Sequence, residues 1–194
     1  PQLITDARVT LATTADYQQT ESIQHALQER NLLPETHIVD NGYVIGATLA
    51  SSTANGVDLI GPIKPDSNKQ ARAKTGTALD DFDIDYNLKQ VRCPQGHTST
   101  AWHTTDEHGK TFIHVSFDVQ TCIACPLYAV CVNSNEKRAR GRTLQIGPHH
   151  ALIKQRRQVQ KTADFRHTYR RRSGIEATLS AMVRTQGLRF ARFK

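Results

Sequence analysis

From Tyr169 to Glu176 the chain reads Tyr-Arg-Arg-Arg-Ser-Gly-Ile-Glu, one carboxylate set in the most basic part of the molecule. Between Lys137 and Lys194 there are 16 Lys or Arg and only two acids, Asp164 and Glu176. In a helix, Tyr169, Arg172 and Glu176 fall at i, i+3 and i+7, on one face. A carboxylate in such company has two uses. It pairs with the arginines, or it holds a cation that the arginines help bring to a phosphate. A salt-bridged helix surface needs nothing more than this spacing, so the pattern alone leaves both readings open.

A second acid stands out upstream. His37-Ile38-Val39 is a short apolar run, followed by Asp40 and then Asn41-Gly42, a turn signal. Asp40 therefore sits at the C-terminal end of a predicted strand, where open α/β sheets place their ligands. An Asx turn would use the same three residues.

The four cysteines are the third group. Cys122 and Cys125 form a Cys-x-x-Cys pair, Cys131 follows, and Cys93-Pro94 ends a predicted strand upstream. In an intracellular chain this spacing favours a structural zinc over disulfides, with Cys93, Cys122, Cys125 and Cys131 as ligands and His97 in reserve. Four thiolates leave no open position for water, so no chemistry is assigned to them. Four unligated thiols, or a redox pair, are the alternatives.

The elements that must position these groups follow from periodicity. Leu3–Thr10 alternates and reads as a strand. Asp16–Asn31 reads as a helix with Ile23, Ala26 and Leu27 on one face. The strand at 37–39 comes next, then a helix over Tyr43–Ala54 stopped at Asn55-Gly56, then a strand over Val57–Ile63. Alternating strands and helices predict an α/β sheet with crossovers. Residues 64–81 turn polar and read as a loop. A small β region follows, with strands around 82–86, 90–94 and 111–117. Asp80, Asp81, Asp83 and Asp85 lack the Gly and terminal Glu of an EF-hand and read as a solvated strand edge. From about Pro148 to Thr185 the pattern is helical, with a break near Ser173-Gly174. Three segments result: 1–63, 64–147 and 148–194.

Charge points to the partner. The net +7 conceals a balance of −7 over residues 1–136 and +14 over 137–194. Such concentration suits a polyanion, most simply nucleic acid. A solvated tail would not carry Leu152, Ile153, Phe165, Tyr169 and Ile175 among its charges. Aromatic residues are only 6%, so the core must rest on Leu, Ile, Val and Ala. No apolar run is long enough for a signal or a membrane span. With no Met at Pro1, the expectation is a fragment of a cytoplasmic protein.

Tyr169, Arg172 and Glu176, with Leu179-Ser180 and Arg184 following, resemble the glutamate helix of DDE transposases from bacterial insertion sequences. That signature places a basic residue seven positions after the Glu. Here the position is Val183 and the base is Arg184, one step on. His37-Ile38-Val39-Asp40-Asn41-Gly42-Tyr43 resembles the strand end that carries the family's second catalytic Asp. The cysteines resemble an insertion found in one branch.

The resemblance implies a partial ribonuclease-H-like sheet with a small Cys-rich β insertion, and an active site of three carboxylates holding two divalent ions, usually Mg2+. Asp40 and Glu176 supply two of the three and are the implied catalytic residues. Tyr169, Arg170, Arg171, Arg172, Arg184 and Arg189 are the implied DNA contacts. The implied partner is DNA, at the element ends and the target, with self-association of the parent protein. Asp6 and Asp16 lack the surroundings of the family's first Asp, so the expectation is a chain inactive by itself. The reading from another class is a non-catalytic, zinc-stabilised nucleic-acid-binding module. The distance between Asp40 and Glu176 separates the two.

Overall fold

The computed structural model describes residues 4–132 and 139–186, apart from the side chains of residues 175, 179, 182 and 186. In chain order the helices are α1 (Thr20–Glu29), α2 (Gly46–Ala54), α3 (Lys69–Ala73), α4 (Val119–Ile123), α5 (Tyr128–Cys131), α6 (His150–Val159), α7 (Ala163–Arg170) and α8 (Ser173–Gln186). The strands are β1 (Thr36–Ile38), β2 (Asp58–Ile60), β3 (Asp83–Asp85), β4 (Gln90–Arg92), β5 (Ala101–Glu107), β6 (Lys110–Ser116) and β7 (Thr143–Ile146). Mixed α/β content agrees with the expected class. The chain forms two compact units, residues 1–64 with 151–194, and residues 65–150.

In the first unit β1 and β2 pair in parallel, His37 opposite Leu59 and Ile38 opposite Ile60. Parallel strands need a crossover, and α2 supplies it. The pairing continues one residue past β1, where the Val39 amide donates to the Ile60 carbonyl at 2.8 Å. Val39, Val44, Leu49, Leu59 and Ile63 form the buried cluster, and Leu152 and Ile153 of α6 pack against it. Three polar contacts tie α6 to the same place. Arg156 Nη2 donates to Asp58 at 2.7 Å, the Ile63 amide to Gln160 Oε1 at 2.9 Å, and Arg157 Nε to the Lys64 carbonyl at 3.4 Å. α1 meets α2 through a buried polar pair, Gln24 Nε2 donating to Ser52 Oγ at 2.8 Å.

Several expected elements differ. Residues 4–10 form no strand. Among the described residues no neighbouring strand offers a ladder, and Ile4, Val9 and Leu11 stay exposed. Asp6 is held instead by Arg8 and Arg30. A 3-10 turn at Asp16–Gln19 precedes α1, and another at Asn41–Tyr43 precedes α2, which begins only at Gly46. The C-terminal helix breaks twice rather than once. Thr162 adopts extended geometry and its hydroxyl accepts from the Phe165 amide at 3.2 Å, capping a new helix, α7.

The second unit is antiparallel. β3 pairs with β4, and β5, β6 and β7 form a three-stranded sheet. β5 and β7 were not expected. β5 is nearly all polar, and four residues of β7 are too few to show a period. His108 and Gly109, both at positive φ, make the two-residue turn into β6 that matches strand twist. Phe82, Val91, Val115, Phe117, Leu144 and Ile146 form its core.

Gly61 allows the first unit's sheet to close. A Cβ there would lie 2.6 Å from Val44 Cγ2 and 2.7 Å from the Val39 carbonyl oxygen, the residue before Asp40. Gly61→Ala is expected to cost about 1–3 kcal/mol in thermal or urea unfolding. Gly42→Ala, which meets nothing within 4 Å, is expected to be nearly neutral. Equal stability of the two variants would contradict this packing.

Candidate active site

Asp40 follows β1, fixed by the ladder bond of Val39. Its Oδ1 accepts from the adjacent Asn41 amide at 2.7 Å, which caps the 3-10 turn; an Asx turn would take the amide two residues on. This cap bond uses Oδ1 and leaves Oδ2 for another partner, and more than half of the side chain is exposed.

The other half of the site comes from α7 and α8. Phe165 is buried and stacks on Tyr169, ring centroids 5.8 Å apart and planes 11° from parallel. Tyr169 in turn steadies Arg172, whose Nη1 donates to the Tyr169 hydroxyl at 3.3 Å and whose guanidinium carbon lies 5.9 Å from the ring centroid. Between α7 and α8 the backbone tightens, with the Arg171 and Arg172 amides bonded to the Thr168 and Tyr169 carbonyls. This i to i−3 turn keeps Tyr169, Arg172 and Glu176 together despite the break.

Arg172 joins the two halves. Its Nη2 lies 3.1 Å from Asp40 Oδ2 and 3.0 Å from Glu176 Oε1. The same nitrogen serves both, so the two carboxylate oxygens can be no further apart than the sum of those distances. Glu176 is thus paired with Arg172 on the side that faces Asp40. Although partial burial opposes it, the charges of Tyr169, Asp40 and Glu176 raise the guanidinium above its ordinary pKa.

Two further residues lie beside this cluster. The 3-10 turn carrying Asp16 packs against the one carrying Tyr43. Burial raises the Tyr43 hydroxyl, and the charge and hydrogen bonding of Asp16 and the charge of Asp40 raise it further. Sequence reasoning set Asp16 aside because its neighbours look unremarkable. Only the return of Tyr43 on its 3-10 turn reveals the proximity. Arg170 and Arg171 are exposed. Arg184 is exposed and donates to Ser180 Oγ at 2.9 Å. Arg189 lies outside the described residues.

Asp40 and Glu176 suit a divalent cation in donor chemistry. Both offer hard carboxylate oxygens, remain accessible, and already converge on one positive group. Among the described residues, no group of three or more His, Cys, Asp or Glu side chains is arranged to hold a metal ion.

In the second unit all four cysteines are free thiols lining one cavity of about 200 Å³. Cys93 opens a tight turn in which its amide donates to the His97 carbonyl and its carbonyl accepts from the Gly96 amide, both at 2.8 Å. Cys122 lies on α4, Cys125 just past its end with its amide donating to the Cys122 carbonyl at 3.1 Å, and Cys131 ends α5. Arg142 stands beside them. Its amide donates to Cys122 Sγ at 3.4 Å and its Nη1 to the Cys131 carbonyl at 2.8 Å. The thiols share a cavity without forming a ready cage. Burial pushes the Cys131 thiol up, Arg142 opposes this, and the other three thiols add to it. In the metal-free chain Cys131 is therefore expected to carry less thiolate near neutral pH than an ordinary exposed cysteine and to alkylate more slowly than one, gaining rate as pH rises. Iodoacetamide labelling read by peptide mass spectrometry checks this. Cys131 alkylating as fast as a cysteine in a short unstructured peptide would contradict it.

Among the described residues, no helix is long and apolar enough to cross a membrane. No curated protein and no solved structure matches the chain. A family model described as "Transposase DDE domain" matches residues 92–194, more than half of the chain. The match contains Glu176, Arg172 and the four cysteines, while Asp40 lies before it. By this match the chain belongs to the transposase DDE domain family.

Proposed function

We propose that this chain is the part of a bacterial insertion-sequence transposase that brings two catalytic carboxylates, Asp40 and Glu176, to a DNA phosphate for metal-dependent strand cleavage and transfer. The observation that carries the reading is the shared contact of both carboxylates with one Arg172 nitrogen. Side chains so close, from distant parts of the chain, can share a cation. A solvated helix face has no need of Asp40. A partial ribonuclease-H-like core suits the parallel β1–β2 pair, with Asp40 at the strand's carboxyl end.

Asp40 and Glu176 would hold Mg2+. A bound divalent ion supplies charge stabilisation to the attacking and leaving oxygens of a phosphodiester. The chain's own residues do the rest. Tyr169 orients Arg172. Arg170, Arg171, Arg184 and Arg189 form a track for the DNA backbone, with DNA steered by the basic C-terminal third. Two carboxylates are too few for a two-ion site, so the 194-residue chain is proposed to bind DNA without cutting it. Self-association in the parent protein and a cytoplasmic location complete the reading.

Mn2+ binding followed by calorimetry tests the site. Binding lost in both Asp40→Asn and Glu176→Gln supports it. Binding that ignores both variants favours the alternative, a nucleic-acid-binding module without catalysis. For DNA, about five arginine–phosphate contacts predict a slope of log affinity against log salt near −4 to −5. Arg170→Gln should flatten that slope by about one and weaken all sequences alike. Glu176→Gln should leave binding intact. Mg2+-dependent nicking by the chain alone, lost in Glu176→Gln, would overturn the proposed inactivity.

A second proposal rests on the cysteine cavity: Cys93, Cys122, Cys125 and Cys131 close around a structural Zn2+. Four thiols on one cavity, with a backbone amide donating to one sulfur, support it. Metal analysis should return about one zinc per chain. Cys122→Ser should lose the zinc and destabilise the second unit. Zinc-free protein with unchanged unfolding in Cys122→Ser would reject it.

A further inference from the structure

Arg172 makes three contacts that no single role explains. A residue that only touches DNA phosphate has no reason to sit between two acids. A residue that only orders Glu176 has no reason to reach Asp40. Nη2 does both, at 3.0 and 3.1 Å, while Nη1 holds the Tyr169 hydroxyl at 3.3 Å.

We infer that Arg172 is a displaceable counter-ion, which occupies the cation's place between Asp40 and Glu176 in the metal-free chain and is released toward DNA phosphate when a divalent ion arrives. This rests on the reading of Asp40 and Glu176 as metal-holding carboxylates.

Electrostatics gives the direction of the exchange. Without a cation, two neighbouring carboxylates repel. The guanidinium cancels one of the two charges, leaving a net negative site that still attracts a divalent ion. Once such an ion sits between the oxygens, the adjacent guanidinium is repelled by it. All three side chains are solvent-accessible, Asp40 at 54% and Glu176 at 59%, so the existing pairs are weak and the exchange is easy. Tyr169 limits where the freed group goes. It is anchored by its stack on buried Phe165 and grips Arg172 through its hydroxyl and its ring. The released guanidinium therefore stays beside the metal, where a phosphate bound to that metal would lie. Metal and DNA binding then favour each other, because each draws on the state the other produces.

The test measures Mn2+ affinity of the full chain by calorimetry, without DNA, for the unaltered protein and Arg172→Gln. Removing the competing cation is expected to tighten Mn2+ binding about two- to fivefold, the range set by exposed ion pairs. The gain should disappear in the Asp40→Asn background. An independent readout is the salt slope of DNA binding. Mn2+ should steepen it by about one in the unaltered protein and leave it unchanged in Arg172→Gln. Unchanged or weaker Mn2+ affinity in Arg172→Gln, with binding still dependent on Asp40, would show a static organiser and overturn the inference while the proposed site stands. Mn2+ binding that is absent, or indifferent to Asp40→Asn, would remove the proposed site and this inference with it.

Discussion

The first unit depends on how α6 lies across the parallel pair of β1 and β2. Leu152 and Ile153 pack on Val39, Val44, Leu49, Leu59 and Ile63, so a basic helix late in the chain is held against strands near its start. Burial of those apolar side chains is the favourable term that offsets the entropy of closing so long a loop. The polar contacts around it select the register. Arg156 finds Asp58, and the Gln160 side chain accepts the Ile63 amide, which the short sheet leaves without a partner. With α6 in place, α7 and α8 arrive beside the end of β1, and Arg172 can reach Asp40.

Around that junction an ordered chain of contacts replaces a rigid pocket. Phe165 is buried, Tyr169 stacks on it, Arg172 rests on Tyr169, and the two carboxylates meet at Arg172. Order decreases outward from the core. The aromatic pair is fixed by packing, whereas the carboxylates are held only by hydrogen bonds open to water. The proposed use of the site, taking ions and a polyanion, would suit this gradient, since exposed acids are held only weakly and can exchange partners.

The second unit shows a different economy. Its core is six residues, with Cys93, Cys122 and Cys131 packed against it as small apolar groups. Arg142 is partly buried among them, its guanidinium 5.7 Å from the Phe82 ring centroid and bonded to the Cys131 carbonyl. Burial lowers its pKa while the thiols beside it raise it. Arg142 thus opposes the burial that pushes the Cys131 thiol up, which ties packing in this unit to its proposed metal chemistry.

The residue types at the site were legible in the sequence. Asp40 stood out because an apolar run ends there before a turn signal, and Glu176 because it is isolated among arginines at helical spacing from Tyr169 and Arg172. The helices and parallel strands of the first unit were legible too, since burial on one or both faces leaves a period in the residues. β5 and β7 were not, because one is nearly all polar and the other too short for a period to show. The alternating stretch before residue 10 misled for a related reason: alternation records that a strand could form, and only a neighbouring ladder decides that it does. The sequence by itself determined the chemistry available, meaning carboxylates, arginines and thiols at local spacings. Tertiary structure alone decided that one guanidinium nitrogen serves both Asp40 and Glu176, and that Asp16 lies beside Tyr43. Those distances are set by packing between segments far apart in the chain, and local residue patterns carry no record of them.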